Sequence, residues 1–279
     1  MSKMHQNLLF FSFLIVTSTS IQADEQNAQD CLIEPHDVVE ISSPVQGILE
    51  TVSVERGDTV KKGQIVAKLK SGVEESNVRL MKARAKMEGD IHARKADLEL
   101  KKHNSEQLES LYNKKLASLH EFEDAKTMSV IADYEHKKAL ELYHVAQLEL
   151  DHAQEILDQR HLKSTVDGVV VERLKSPGEY VEDQPVLKIA QIDPLNVEVI
   201  APIHMLGSIQ VGMDAEVTAE QSADSVFHAR VIVVDPVIHA SSGTFGIRLN
   251  LPNSDHKILA GLRCKVYFNK GNGSALPKT

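Results

Sequence analysis

The sequence predicts an elongated, multidomain protein of mixed α and β class. A small β-sandwich is split by a long antiparallel coiled-coil α-hairpin and followed by a small antiparallel β-barrel. Three observations carry this. A glycine-bearing segment recurs 121 positions on, so that Gly47 and Gly57 return as Gly168 and Gly178. Between the copies, residues 73–160 hold no proline and a single glycine, Gly89. Beyond residue 190 the chain reverts to short alternating segments parted by Gly, Pro, Asn and Ser. With 4% aromatics among 42% hydrophobic residues, narrow helices and small aliphatic sheets fit better than one broad enzyme core.

Residues 1–23 read as a cleavable export signal. Lys3 supplies the positive start, Leu8 to Val16 the apolar run, and a polar stretch leads to Ala23. Ile21 stands where a small residue is usual. The apolar run is far shorter than the roughly 20 residues a spanning helix needs. Cys31 follows Ala-Gln-Asp, which is not a lipoprotein cleavage context. The formal charge of −9 becomes −10 once Lys3 is removed, which argues against a basic nucleic-acid binder. Export also changes what the two cysteines mean. Cys31 and Cys264 either pair, tying the two chain ends together, or stand as two buried free thiols.

The first repeat runs from Ser43-Pro44-x-x-Gly47 through Gly57-Asp58-x-Val60 to Gly63-Gln64. The second runs from Ser164 through Gly168, Pro177-Gly178 and Val181 to Val186-Leu187. Each alternates apolar and polar residues, as short half-buried strands do. Gly47, Gly57, Gly168 and Gly178 are placed at the turns, where glycine tolerates positive φ. About 30 residues bury no core alone, so two copies packed face to face make one sandwich.

The intervening segment shows a heptad in its second half. Phe122, Ser129, His136, Tyr143, Leu150 and Leu157 share one position, and Ala125, Ala132, Ala139, Ala146 and Ala153 lie three later. An apolar seam repeating every 3.5 residues is the mark of a coiled coil. The first half, Val73 to about Lys115, carries a looser stripe: Leu80, Met87, Ile91, Leu98, Leu108 and Leu111. Ser71 with Glu74 and Ser118 with Glu121 read as capping boxes that open the two arms. The turn therefore falls near Asn113 to Ala117. Arms of about 40 residues extend roughly 60 Å, too far to fold into the sandwich. The rod histidines (His92, His103, His120, His136, His144, His152 and His161) contain no pair at i, i+3 or i, i+4. They read as ordinary helix positions, and no zinc-like Cys/His spacing occurs.

From Ile192, strands are expected at Leu195–Val199, Ala215–Thr218, Phe227–Val234, Phe245–Leu251 and Leu262–Phe268. A helical turn or two lies between His204 and Gln210. Ser242-Gly243-Thr244 and Pro252-Asn253-Ser254-Asp255 form turns. This spacing suits a small barrel.

In this order, the residues resemble the HlyD-like periplasmic adaptors, or membrane fusion proteins, of tripartite efflux pumps, most closely the resistance-nodulation-division (RND) type. The resemblance rests on the two glycine repeats. It is extended by Asp193-Pro194-Leu195, Gly212, Gly243-Thr244, Leu251-Pro252-Asn253 and Leu259-Ala260-Gly261-Leu262. It implies seven segments: 1–23 signal peptide, 24–35 joining the barrel, 36–71 first lipoyl-like half, 72–160 hairpin, 161–190 second lipoyl-like half, 191–270 barrel, and 271–279 disordered tail. The sandwich is similar to a lipoyl or biotinyl carrier whose lysine-bearing turn has been replaced by helices. Met81-Lys82-Ala83 has a biotinylation-like sequence but lies where a helix is expected, so no cofactor is implied.

The resemblance also implies partners. These are an inner-membrane transporter of RND or ABC type, a TolC-like outer-membrane channel, and further copies of the chain, six in an assembled pump. The location implied is the periplasm, tethered to the inner membrane through the transporter. Adaptors that dock on such channels carry an Arg, Leu and Ser pattern at the hairpin tip. Aligned on Ser118, the Leu falls on Leu111 and the Arg on Gln107, which lacks the charge and the bidentate fork. Ser118 is equally expected as an N-cap and Leu111 as a seam residue. Too few residues flank the outermost strands for the membrane-proximal domain usual in RND adaptors, so the barrel is the expected transporter contact. No nucleophile with a base, paired acids or phosphate loop stands out, so no enzyme is expected. Two other readings remain: a periplasmic coiled-coil scaffold, and a carrier-type domain without its modified lysine.

Overall fold

The computed structural model describes residues 28–220 and 225–269. The signal peptide expected at 1–23 and the tail expected at 271–279 lie outside the described residues. In chain order the elements are β1 (Ala28–Ser42), β2 (Gly47–Val52), β3 (Thr59–Val60) and β4 (Ile65–Leu69), then α1 (Gly72–Arg84), α2 (Gly89–Asn113) and α3 (Leu119–Asp158). They continue with β5 (His161–Lys163), β6 (Gly168–Arg173), β7 (Tyr180–Val181), β8 (Pro185–Pro202), β9 (Asp214–Ala219), β10 (Val226–His239), β11 (Thr244–Leu251) and β12 (Arg263–Phe268). A 3-10 turn, Ile203–Met205, follows β8. No described helix is long and apolar enough to cross a membrane. One compact unit is Pro35–Asp193, and the other described residues form the second.

In the first unit, one sheet has the order β5-β4-β2-β7, and β3, β6 and the start of β8 make the opposing layer. Leu49, Val60, Val66, Leu69, Leu162, Val170, Val181, Val186, Leu187 and Ile189 fill the space between, with no aromatic ring among them. Each such side chain is worth about 1.5–3 kcal/mol when fully buried. The repeats do not stack as two separate halves. They exchange strands: β2 of the first copy pairs with β7 of the second, and β3 of the first with β6 of the second. A 30-residue half cannot satisfy its strand edges alone, and the exchange pairs them.

The glycines divide into two kinds. Gly57 and Gly178 sit at φ +97° and +92°, at tight turns. Gly47 and Gly168, expected at turns, instead open strands β2 and β6. Glycine is needed there for room. A Cβ on Gly168 would stand 2.3 Å from the Ala190 carbonyl oxygen, and one on Gly47 would stand 2.8 Å from Arg160 Nη1.

Between β4 and β5 the chain forms three helices. The seam residues of α3, from Phe122 through Leu157, are all buried or half-buried, with Ala132, Ala139 and Ala153 most enclosed. Cross-links tie α2 and its N-cap to the antiparallel α3: Arg94 to Glu135 at 2.5 Å, and Tyr143 Oη to Glu88 Oε1 at 3.1 Å. The first arm, expected to be continuous, is interrupted between Arg84 and Gly89. Gln147 Nε2 donates to the Ala85 carbonyl at 2.6 Å, so α3 supplies a partner that the broken helix lacks. The capping box expected at Ser71 and Glu74 does not form. Ser71 Oγ donates instead to Glu75 at 2.9 Å, Lys68 Nζ reaches the same oxygen at 2.9 Å, and Glu74 pairs with Arg160. The box at Ser118 and Glu121 is complete.

In the second unit the strand order is β1-β12-β9-β10-β11-β8, and β1 also pairs with β8, so the order returns on itself. Alternate residues point inward: Leu195, Val197, Val199 and Ala201 on β8, and Phe245, Ile247, Leu249 and Leu251 on β11. Asn253 is buried, and its side-chain amide bonds both the carbonyl and the amide of Ile258 at 3.0 Å, closing the loop after β11. Cys31 on β1 faces Cys264 on β12 with Cα atoms 4.9 Å apart, and the two are joined by a disulfide.

Candidate functional site

The apex of the rod lies where α2 ends at Asn113 and α3 begins at Leu119. At the end of α2, Lys115 takes a left-handed φ of 61°. Leu116 N donates to the Leu111 carbonyl at 2.9 Å and Lys115 N to Tyr112 at 2.8 Å, so the last helical carbonyls are satisfied in Schellman fashion. That turn thrusts Leu116 outward, at 72% exposure. Ser118 then opens α3. Its backbone amide and hydroxyl donate to Glu121 at 2.8 and 2.7 Å, and its Oγ accepts from the Glu121 amide at 3.3 Å. These bonds hold the Glu121 carboxyl below its ordinary range, the Ser118 amide contributing most. Beneath the turn, Tyr112 and Phe122 stack with centroids 5.6 Å apart, and Lys126 lies 5.9 Å from the Phe122 ring centre.

The three expected tip residues separate into two places. Gln107 and Leu111 line one shallow groove between the arms, with Lys101, Asn104, Leu108, Ala125 and Met128. Ser118 is not on that groove; it is engaged as the helix cap. Leu116 and the Tyr112–Phe122 stack were not singled out from sequence. The signal for Leu116 was an apolar residue stranded in a turn between two lysines and a cap. The stack joins a heptad position of α3 to a residue outside the stripe of α2, so periodicity could not find it.

The base of the rod is fixed by Arg160. Its Nη2 meets Glu74 at 2.7 Å and its Nη1 donates to the Gln46 carbonyl at 2.9 Å, in the space that Gly47 leaves open. Lys82 lies inside α1 and not on a β-turn. Among the described residues, no three His, Cys, Asp or Glu side chains converge on a common point.

Two family models match the chain. Residues 37–191 match the CzcB-like barrel-sandwich hybrid domain, and residues 195–272 match the CusB-like β-barrel domain. The solved structure of MacA from Actinobacillus actinomycetemcomitans is similar in fold, with TM-score 0.68 and 22% identity over 88% of this chain and 80% of that one. Among curated proteins, an uncharacterized Haemophilus influenzae protein is 22% identical over 83% of this chain and 54% of its own length. A UPF0194 membrane protein of the asrC 5′ region in Acidithiobacillus ferridurans is 27% identical over 44% of this chain and 41% of its own. The chain thus spans about half the length of the curated relatives it matches.

Proposed function

We propose a function from one premise: the chain belongs to the family of CzcB-like barrel-sandwich hybrid proteins, the membrane fusion proteins of efflux pumps. On that premise it is a non-enzymatic periplasmic adaptor. It links an inner-membrane transporter, of RND type in preference to ABC, to a TolC-like outer-membrane channel. Residues 1–23 direct its export, and the exported chain assembles as a ring of six. The three helices act as a coiled-coil hairpin that spans distance, and their apex meets the channel. The barrel faces the transporter.

The observation that carries this reading is the placement of the rod. It leaves the sandwich through β4 and returns through β5, which are hydrogen-bonded neighbours. At its base Arg160 ties it to Gln46 and Glu74. At its far end the apolar side chains of Leu111 and Leu116 are exposed, at 40% and 72%. A rod anchored at one end and apolar at the other suits contact with another protein. Gln107 and Leu111 would meet the channel through the groove, with Ser118 holding the turn in shape.

The test is site-specific photocrosslinking in cells from positions 107, 111 and 116, with a control position on the outer face of the rod such as Lys138. A crosslink to an outer-membrane channel from the apex, absent at Lys138 and lost with export activity on Leu111→Asp, supports the reading. Crosslinks confined to soluble partners, with activity unchanged, would overturn it.

A further inference from the structure

The chain holds two cysteines, and they face each other across β1 and β12. They are 233 positions apart, so the bond ties the first described strand to the last. The pairing of Ala28–Leu32 with Arg263–Tyr267 cannot form until β12 has been made and delivered. Cys31 is 8% exposed and Cys264 2%, so once the strands have closed no protein-sized catalyst reaches either sulfur. Oxidation must therefore precede or accompany closure.

We propose that this chain is a client of a thiol oxidase of the dithiol/disulfide class in the compartment that receives it. Disulfide formation is then the last covalent step in closing its barrel, and no disulfide isomerase is required. This rests on the export reading above. The chain emerges amino end first, so Cys31 is free while Cys264 has yet to arrive. The Cys31 thiolate attacks a sulfur of the oxidase disulfide, displacing one oxidase thiolate and leaving a mixed disulfide. The Cys264 thiolate later attacks the Cys31 sulfur of that bond and displaces the second oxidase thiolate. The two cysteines lose two electrons, the oxidase disulfide gains them, and the two thiol protons end on the oxidase sulfurs. With two cysteines only one intramolecular bond exists, so there is no wrong pairing within the chain for an isomerase to correct.

The test uses the full chain expressed in exporting cells, acid-quenched and treated with a mass-tagging maleimide. The expected result is no tagged thiol in wild-type cells or in cells lacking the isomerase, and two tagged thiols in cells lacking the oxidase. Cys264→Ala should accumulate an oxidase adduct cleaved by reductant, and Cys31→Ala should accumulate several-fold less. An exported chain carrying two tagged thiols in wild-type cells overturns the proposal, as does dependence on the isomerase. Equal adducts from the two variants overturn the stated order. Recovery of the chain in the cytosolic fraction would instead overturn the export reading, so the two failures are distinguishable.

Discussion

Val60 of the first repeat lies opposite Gly168 of the second, and 121 positions on Val181 lies opposite Gly47. The bonds around these pairs repeat at the same offset. Gly57 N donates to Val170 O at 2.9 Å and Gly178 N to Leu49 O at 2.7 Å. Ser43 Oγ bonds the Val45 carbonyl at 2.5 Å and Ser164 Oγ the Val166 carbonyl at 2.6 Å. The sandwich is therefore a near two-fold object made from one chain.

The symmetry breaks where the two glycines meet different neighbours, and substitution should expose this. Gly168→Ala forces a Cβ against backbone at Ala190 and should cost about 1–3 kcal/mol. Gly47→Ala meets side chains alone, the movable end of Arg160 at 2.8 Å and Leu69 Cδ1 at 3.3 Å, and should cost less. Urea unfolding of the two variants compares them directly.

Ser118→Ala removes a complete cap and should cost about 1 kcal/mol of helix stability. Amide exchange over residues 117–122 should quicken, while exchange at the base of α3 stays unchanged.

The Glu121 carboxyl is held below its ordinary range by Ser118. A group depressed in the folded state contributes stability above its unfolded value and loses it as pH falls through the folded one. Acidification through the carboxylate range should fray the head of α3 in the wild type. Glu121→Gln should lack this component, so circular dichroism titrations of the two proteins should differ there.

Gln147→Leu leaves the Ala85 carbonyl without its side-chain partner at the interruption of the first arm. An unsatisfied group of this kind costs about 1–3 kcal/mol, and Ala85 is buried. The readout is faster exchange of amides 85–89. Gln147→Glu should not restore protection, since a carboxylate cannot donate.

Replacing both Cys31 and Cys264 with Ala should lower stability by about 2–4 kcal/mol. Treating the wild type with reductant under native conditions should leave the bond intact, because both residues are buried. Thiol release is expected only once denaturant opens the barrel.

Much of the architecture was legible because it rests on local periodicity. The heptad of α3 marked the buried positions from Phe122 to Leu157, and the Ser118–Glu121 spacing marked the cap. The strands flanking Gly212 and Gly243 followed from alternation. What escaped depended on contacts distant in sequence. The Ser71–Glu74 spacing suits a capping box, but Arg160 claims Glu74 and Lys68 draws Glu75 to Ser71. The interruption after Arg84 carries no proline, and its stabilising partner, Gln147, lies on the other arm. The strand exchange between repeats was invisible to a comparison of the repeats with each other, because both pairings fit the same pattern. At the apex, Gln107 and Leu111 do share a surface, but Leu116 is presented by a turn whose shape depends on the φ of Lys115.

The pairing of Lys68 with His161 has a consequence for evolution of reach. The rod leaves and re-enters through one adjacent pair of strands, so the sandwich registers only the gap between its two ends and not the length of what lies between. Removing matched heptads from the two arms would shorten the span by about 1.5 Å per residue pair and leave every sandwich bond in place. Distance is thus an adjustable quantity in this scaffold, set by insertions that the rest of the molecule never feels.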